Sequence, residues 1–160
     1  MEAPDLIRLY DQAVAAWEMK NFKLALSYVD QALSIKPFVA RYRRLRGMIY
    51  EEIGQPDLAE IDYLMAVGIR PDWPKGLCSI GMFYYEKQEY GKANKYFFIS
   101  SELEPDPEVF TLLANINLNE NPETALKFAE KALILRPDWE EAVNLRADAL
   151  KILNSTPKNR

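Results

Sequence analysis

Four prolines divide this 160-residue chain into near-equal lengths: Pro37, Pro71 and Pro105 lie 34 residues apart, and Pro137 follows after 32. A fixed period of this size is the signature of a stacked-repeat architecture, which constrains the fold more than any single motif. Other columns keep the same beat. Ala25, Ala59, Ala93 and Ala125 form one; Ala32, Ala66, Ser100 and Ala132 a second; Ile35, Ile69, Leu103 and Leu135 a third. Earlier in each unit Ala13, Gly47 and Gly81 align, as do Ala16, Tyr50, Tyr84 and, more loosely, Leu118.

Each unit reads as two helices. Turn residues separate them at Lys20-Asn21, Gly54-Gln55, Gln88-Glu89 and Asn119-Glu120-Asn121. Pro56 and Pro122 fall at the start of second helices, where a missing N–H costs nothing. The period-marking prolines fall just past helix ends. The spacing predicts nine helices: hairpins over 6–37, 38–71, 72–105 and 106–137, then a terminal helix over 139–153, all within one domain spanning 1–153, with a flexible tail at 154–160. Small residues in the alanine and glycine columns let paired helices approach closely. Tyr50, Tyr63, Tyr84 and Phe97 fill the space between neighbours. A single hairpin cannot bury its apolar face, so stacking must complete the core.

The pattern Gly47-x2-Tyr50, Ala59-x3-Tyr63, Ala66, Pro71, and its echo Gly81-x2-Tyr84, Ala93-x3-Phe97, Ser100, Pro105, resembles the tetratricopeptide-repeat family. The first unit carries Ala13 and Ala16 in place of Gly and Tyr. The fourth departs furthest, with a two-residue deletion near Asn119–Glu123 and Ala129 where an aromatic is usual. The resemblance covers about residues 6–153. It implies an all-α, right-handed superhelical solenoid of four antiparallel helix pairs with a C-terminal capping helix, whose first helices line a concave groove for another protein.

On that implication the first helices offer a peptide-binding groove of Tyr10, Val14 and Trp17, then Arg41, Arg44, Leu45 and Met48, then Lys75, Ser79, Met82 and Tyr85, and finally Leu112 and Ile116. The same surface also takes in Ile7, Glu51, Cys78, Glu86, Val109 and Leu113, and the terminal helix adds Asn144 and Asp148. Arg41 and Arg44, three residues apart, share a helix face, and Lys75 follows from the next unit. Together they suit a carboxylate, an acidic side chain or a phosphate. Methionines make an adaptable apolar surface, and Tyr10 and Trp17 are candidate aromatic anchors. The competing reading makes the arginines partners of local acids, and Met48, Met82 and Trp17 packing residues. The repeated Arg-Pro-Asp-Trp at Trp73 and Trp139 reads as packing between units. One subclass of the family clamps C-terminal carboxylates with a fixed Lys, Asn and Arg set. The corresponding places here are Tyr10, Val14, Leu45, Lys75 and Ser79, of which only Lys75 fits.

Composition argues against other functions. The chain has no histidine and one cysteine, Cys78, which removes Cys/His zinc sites, an internal disulfide framework and the commonest general base. No cofactor or metal and no catalysis are expected. A net charge of −4 lacks the basic footprint of nucleic-acid binding. No apolar run is long enough to cross a membrane, and no signal-peptide pattern opens the sequence, so a cytoplasmic location is expected. The expected function is a protein-interaction adaptor that holds a peptide or helix of acidic character. The alternatives are a secretion-type chaperone and a self-assembling scaffold in which a terminal helix occupies a neighbour's groove.

Overall fold

The computed structural model describes residues 4–155, and the side chains of residues 5–155. These residues form nine α-helices and no strand. They are α1 (Pro4–Glu18), α2 (Phe22–Ile35), α3 (Ala40–Glu52), α4 (Pro56–Ile69), α5 (Pro74–Glu86), α6 (Tyr90–Leu103), α7 (Pro107–Asn117), α8 (Pro122–Leu135) and α9 (Glu140–Ser155). The expected tail begins inside α9, because Asn154 and Ser155 are still helical and the Ser155 hydroxyl donates to the Ile152 carbonyl. The rest of that tail, 156–160, lies outside the described residues.

The turns explain the hairpins. Lys20, Gly54 and Gln88 occupy one repeat position, and all three have positive φ: 57°, 71° and 60°. Each follows a first helix and closes it in the same way. The N–H groups of Lys20 and Asn21 donate to Trp17 and Ala16, those of Gly54 and Gln55 to Glu51 and Tyr50, and those of Gln88 and Glu89 to Tyr85 and Tyr84. This pairing satisfies the last carbonyls of a helix through one left-handed residue. The fourth turn differs. The two-residue deletion is absorbed at the end of α7, which has 11 residues where α3 and α5 have 13. Second helices then start on caps and prolines. Asn21 and Asn121 accept from Leu24 and Thr124 N–H groups, and Pro56 and Pro122 open α4 and α8.

The chain divides into two compact units, one ending at Ile80 and the other starting at Gly81. In the first, α1 packs on α2, α2 on α3, and α3 on α4. Its core holds Leu6, Ala13, Ala16, Ala25, Val29, Ala32, Tyr42, Leu45 and Ile49. The glycine column works as expected there: a Cβ on Gly47 would lie 2.9 Å from Tyr63 Cε1, so α3 and α4 cross where only glycine fits. In the second unit α6 packs on α7, α7 on α8, and α9 on both α7 and α8. A Cβ on Gly81 would come within 2.6 Å of the fully buried Phe97 ring.

Candidate functional site

The first helices carry the residues of interest, and the structure sorts them by burial. In the first unit, Arg41 lies with its guanidinium 4.9 Å from the centroid of Tyr10 and 5.2 Å from that of Tyr42, and it donates to the Tyr42 hydroxyl at 3.4 Å. Tyr10 and Tyr42 themselves pack at 5.3 Å. Arg44 turns to α5, donating to Ser79 Oγ at 2.6 Å and lying 5.9 Å from the Trp73 ring. Ser79 in turn donates to the Lys75 carbonyl. The two arginines share a helix but serve different neighbours, Arg41 towards α1 and Arg44 towards α5. Lys75 stands exposed, and Met48 is half-buried.

Three expected groove residues, Leu45, Val109 and Leu113, are buried packing residues instead, and two more, Val14 and Trp17, are half-buried against a core. Leu45 is 2% exposed and belongs to the core with Tyr42 and Ile49, three positions before and four after it on α3. Val109 and Leu113 are buried in the second unit for the same reason, being four apart on the inward face of α7. Trp17 packs with Val14 against the first unit's core, and its indole N–H is buried without a hydrogen-bond acceptor. In the second unit Met82 is exposed, while Tyr85, Leu112 and Ile116 are half-buried. Tyr85 packs edge-on to Tyr90 at 5.6 Å and against Phe97 at 6.4 Å. Burial raises its pKa, and the neighbouring Tyr90 and Glu141 add to the rise.

The tryptophans of the repeated Arg-Pro-Asp-Trp act alike. Arg70 lies 5.6 Å from the Trp73 ring and Arg136 3.9 Å from that of Trp139. Trp73 also closes on Gly76, where a Cβ would lie 2.8 Å from the ring. A shallow cleft at the start of α9 is lined by Arg136, Asp138, Trp139, Glu140, Glu141 and Asn144.

One feature of the first unit escaped the sequence reading. Asp62 is 1% exposed on α4 and takes Arg43 at 2.9 Å and Arg46 at 2.6 and 3.0 Å. Arg46 also bonds Asp30 of α2 at 2.8 Å. Burial alone would lower the Arg46 pKa, but its hydrogen bonds to Asp62 and Asp30 outweigh that, and the pKa is raised. The signal was in the column: Tyr28, Tyr96 and Phe128 hold the positions equivalent to Asp62. A carboxylate in an aromatic column implies a buried cation nearby.

Among the described residues no group of three or more Cys, Asp or Glu side chains is placed to hold a metal, and no helix is long and apolar enough to cross a membrane. Antiparallel helix pairs, repeated left-handed turns and glycine crossings define a helical-hairpin repeat protein. Residues 8–38 and 40–72 match the tetratricopeptide repeat family model. The first half of the chain thus carries two tetratricopeptide repeats.

Two curated relatives agree. DnaJ homolog subfamily C member 3 of Gallus gallus is 23% identical over 158 residues, covering 98% of this chain and 30% of that protein. Human tetratricopeptide repeat protein 6 is 29% identical over 104 residues, covering 65% and 19%. The chain thus spans less than a third of either relative. Among solved structures, Pseudomonas aeruginosa pilF superposes with a TM-score of 0.81 at 23% identity, covering 94% of this chain and 69% of that one. The Yersinia enterocolitica type III secretion chaperone SycD, in complex with a peptide of the translocator YopD, superposes with a TM-score of 0.68 at 19% identity, covering 75% and 98%. These likenesses establish the fold.

Proposed function

We propose that the chain is a non-catalytic, cytoplasmic adaptor that binds a segment of a partner protein on the faces its first helices leave open. The observation that carries this reading is the set of accessible side chains there: Tyr10, Arg41, Arg44, Met48 and Lys75 in the first unit, Met82 and Tyr85 in the second. They combine rigid rings, flexible thioethers and cations, which is the chemistry of peptide recognition rather than of bond breaking. Tyr10 and Tyr42 hold the Arg41 guanidinium, and Ser79 holds that of Arg44, so both are preorganised for an acidic group. The peptide held by the structurally similar chaperone SycD supports this mode, and it keeps a client-holding chaperone role as a version of the same reading.

The test is affinity capture from native lysate with wild type beside Lys75→Glu and Arg41→Glu/Arg44→Glu. Lys75 is exposed, so its reversal leaves the fold unchanged. Partner recovery is expected to fall several-fold for Lys75→Glu and further for the double variant, at unchanged helical circular dichroism. Equal recovery by all three would sink the proposal.

A further inference from the structure

The repeats supply their own control for an unusual surface. On a helix, positions spaced four, three and four apart share one face. Counted from the column alanines, the solvent face of each second helix is carried by four such positions, and all sixteen residues are exposed. On α2 they are Lys23, Ser27, Asp30 and Ser34; on α6, Gly91, Lys95, Phe98 and Glu102; on α8, Glu123, Lys127, Glu130 and Ile134. Each of these faces carries charges of both signs. On α4 the same positions are Asp57, Ile61, Leu64 and Gly68, with Leu58 beside them. Ile61 is 54% exposed, Leu64 43% and Leu58 42%. Gly68 has nothing within 4 Å of the place a Cβ would take, so neither packing nor a turn requires glycine there. Glycine weakens a helix, and its presence on an apolar face suits close approach by another backbone.

We propose that this face of α4 pairs, antiparallel, with the same face of a second copy of the chain. The spacing is that of a helix-pair seam. The stripe is symmetric about the Asp62–Tyr63 bond, so an antiparallel copy sets Ile61 against Leu64 and leaves Gly68 opposite Asp57. Charge selects this arrangement. A parallel pair would place Asp57 and Glu60 against their own copies. The antiparallel pair sets Glu60 across from Met65 and carries Asp57 to the end where Arg70 stands exposed at the C-cap. Such a contact is isologous and closes at two copies. A 14-residue helix is about 21 Å long, so one such face falls well short of the roughly 2,000 Å² or more of permanent interfaces. The dimer is therefore reversible and concentration-dependent. The contact uses a second helix and is independent of the peptide-binding reading.

Sedimentation velocity on the full chain, from low micromolar to millimolar concentration, tests it. Wild type should move from monomer towards dimer. Ile61→Lys should remain monomeric throughout, with unchanged circular dichroism, because Ile61 is exposed. Asp57→Arg should weaken association about tenfold, and Asp57→Arg/Arg70→Asp should restore it. A wild-type monomer at every concentration overturns the proposal and assigns the face to a different protein. A dimer that survives Ile61→Lys overturns it by placing the contact elsewhere. Failure of the charge swap to restore association overturns the antiparallel arrangement.

Discussion

The two compact units solve one packing problem with different chemistry. At the position held by Tyr28 and Asp62 in the first unit, the second has Tyr96 and Phe128. Asp62 binds two arginines, whereas Tyr96 stacks on Tyr84 at 5.8 Å and Phe128 on Phe110 at 6.2 Å. The next position repeats the contrast. Tyr63 donates its hydroxyl to Glu51, while at the equivalent places Phe97 packs against Tyr85. Backbone geometry is common to both, down to the glycine under each ring. The repeat frame thus fixes where groups meet and leaves open what kind of interaction they make. Polar pairs are directional and costly to break singly. Ring pairs depend mainly on area and shape.

The sharpest way to break the comparison is at Asp62. Asp62→Ala leaves Arg43 and Arg46 without their buried counter-charge, and should cost about 3–5 kcal/mol in urea unfolding. Replacing the whole group, as Asp62→Leu/Arg43→Leu/Arg46→Ile, should recover most of that loss, since apolar residues of similar volume often match a buried ion cluster. Asp30 would then lose a partner, but it is exposed and the cost is small. If the triple variant is no more stable than the single one, the network does more than fill the column.

A second set of variants addresses what the units share. Gly81→Ala forces a methyl against the Phe97 ring and should destabilise by about 1–3 kcal/mol. Gly47→Ala should cost less, because its Cβ meets Tyr63 at 2.9 Å rather than 2.6 Å. Gly68→Ala, with open space around it, should instead stabilise the monomer by up to about 1 kcal/mol. Thermal unfolding of the three variants gives the order directly. Equal effects at Gly47 and Gly68 would show that the crossing is not held by contact.

These glycines also mark how far the sequence could be read. Gly47 and Gly81 were legible as crossing points because a repeat column exposes a residue type that sterics demand. The turns were legible because Gly54, Asn121 and the prolines carry backbone constraints in their own chemistry. The groove was legible only in part. Arg44 and Leu45 are adjacent, yet one reaches α5 and the other enters the core, since one residue is a 100° rotation on a helix. Choosing residues opposite the small-residue columns therefore still mixed two faces. The partner of Asp62 was hidden for a different reason: Arg43, Arg44 and Arg46 are alike in sequence, and only packing decides which of them meets the carboxylate.

The smallest expected effect separates the units by alkaline titration. Tyr50 and Tyr85 both have raised pKa values, and burial is the leading cause in each. In the first unit Arg46 and Arg43 pull the Tyr50 value back down, against Asp30 and Asp62. No cation opposes the rise at Tyr85, where Tyr90 and Glu141 reinforce it. A phenol whose folded pKa exceeds its unfolded value favours the folded state fully below about pH 10, the unfolded value. That contribution is lost as pH rises through the folded pKa. Urea midpoints measured from pH 8 to 11 should therefore fall less steeply for Tyr85→Phe than for wild type. Tyr50→Phe should change the slope less, because its cations already offset part of the shift. Removing them should reverse the order: in an Arg46→Met background Tyr50 becomes the steeper contributor. A wild-type-like slope in Tyr85→Phe would mean that its ring is solvated where the structure has it packed between Tyr90 and Phe97.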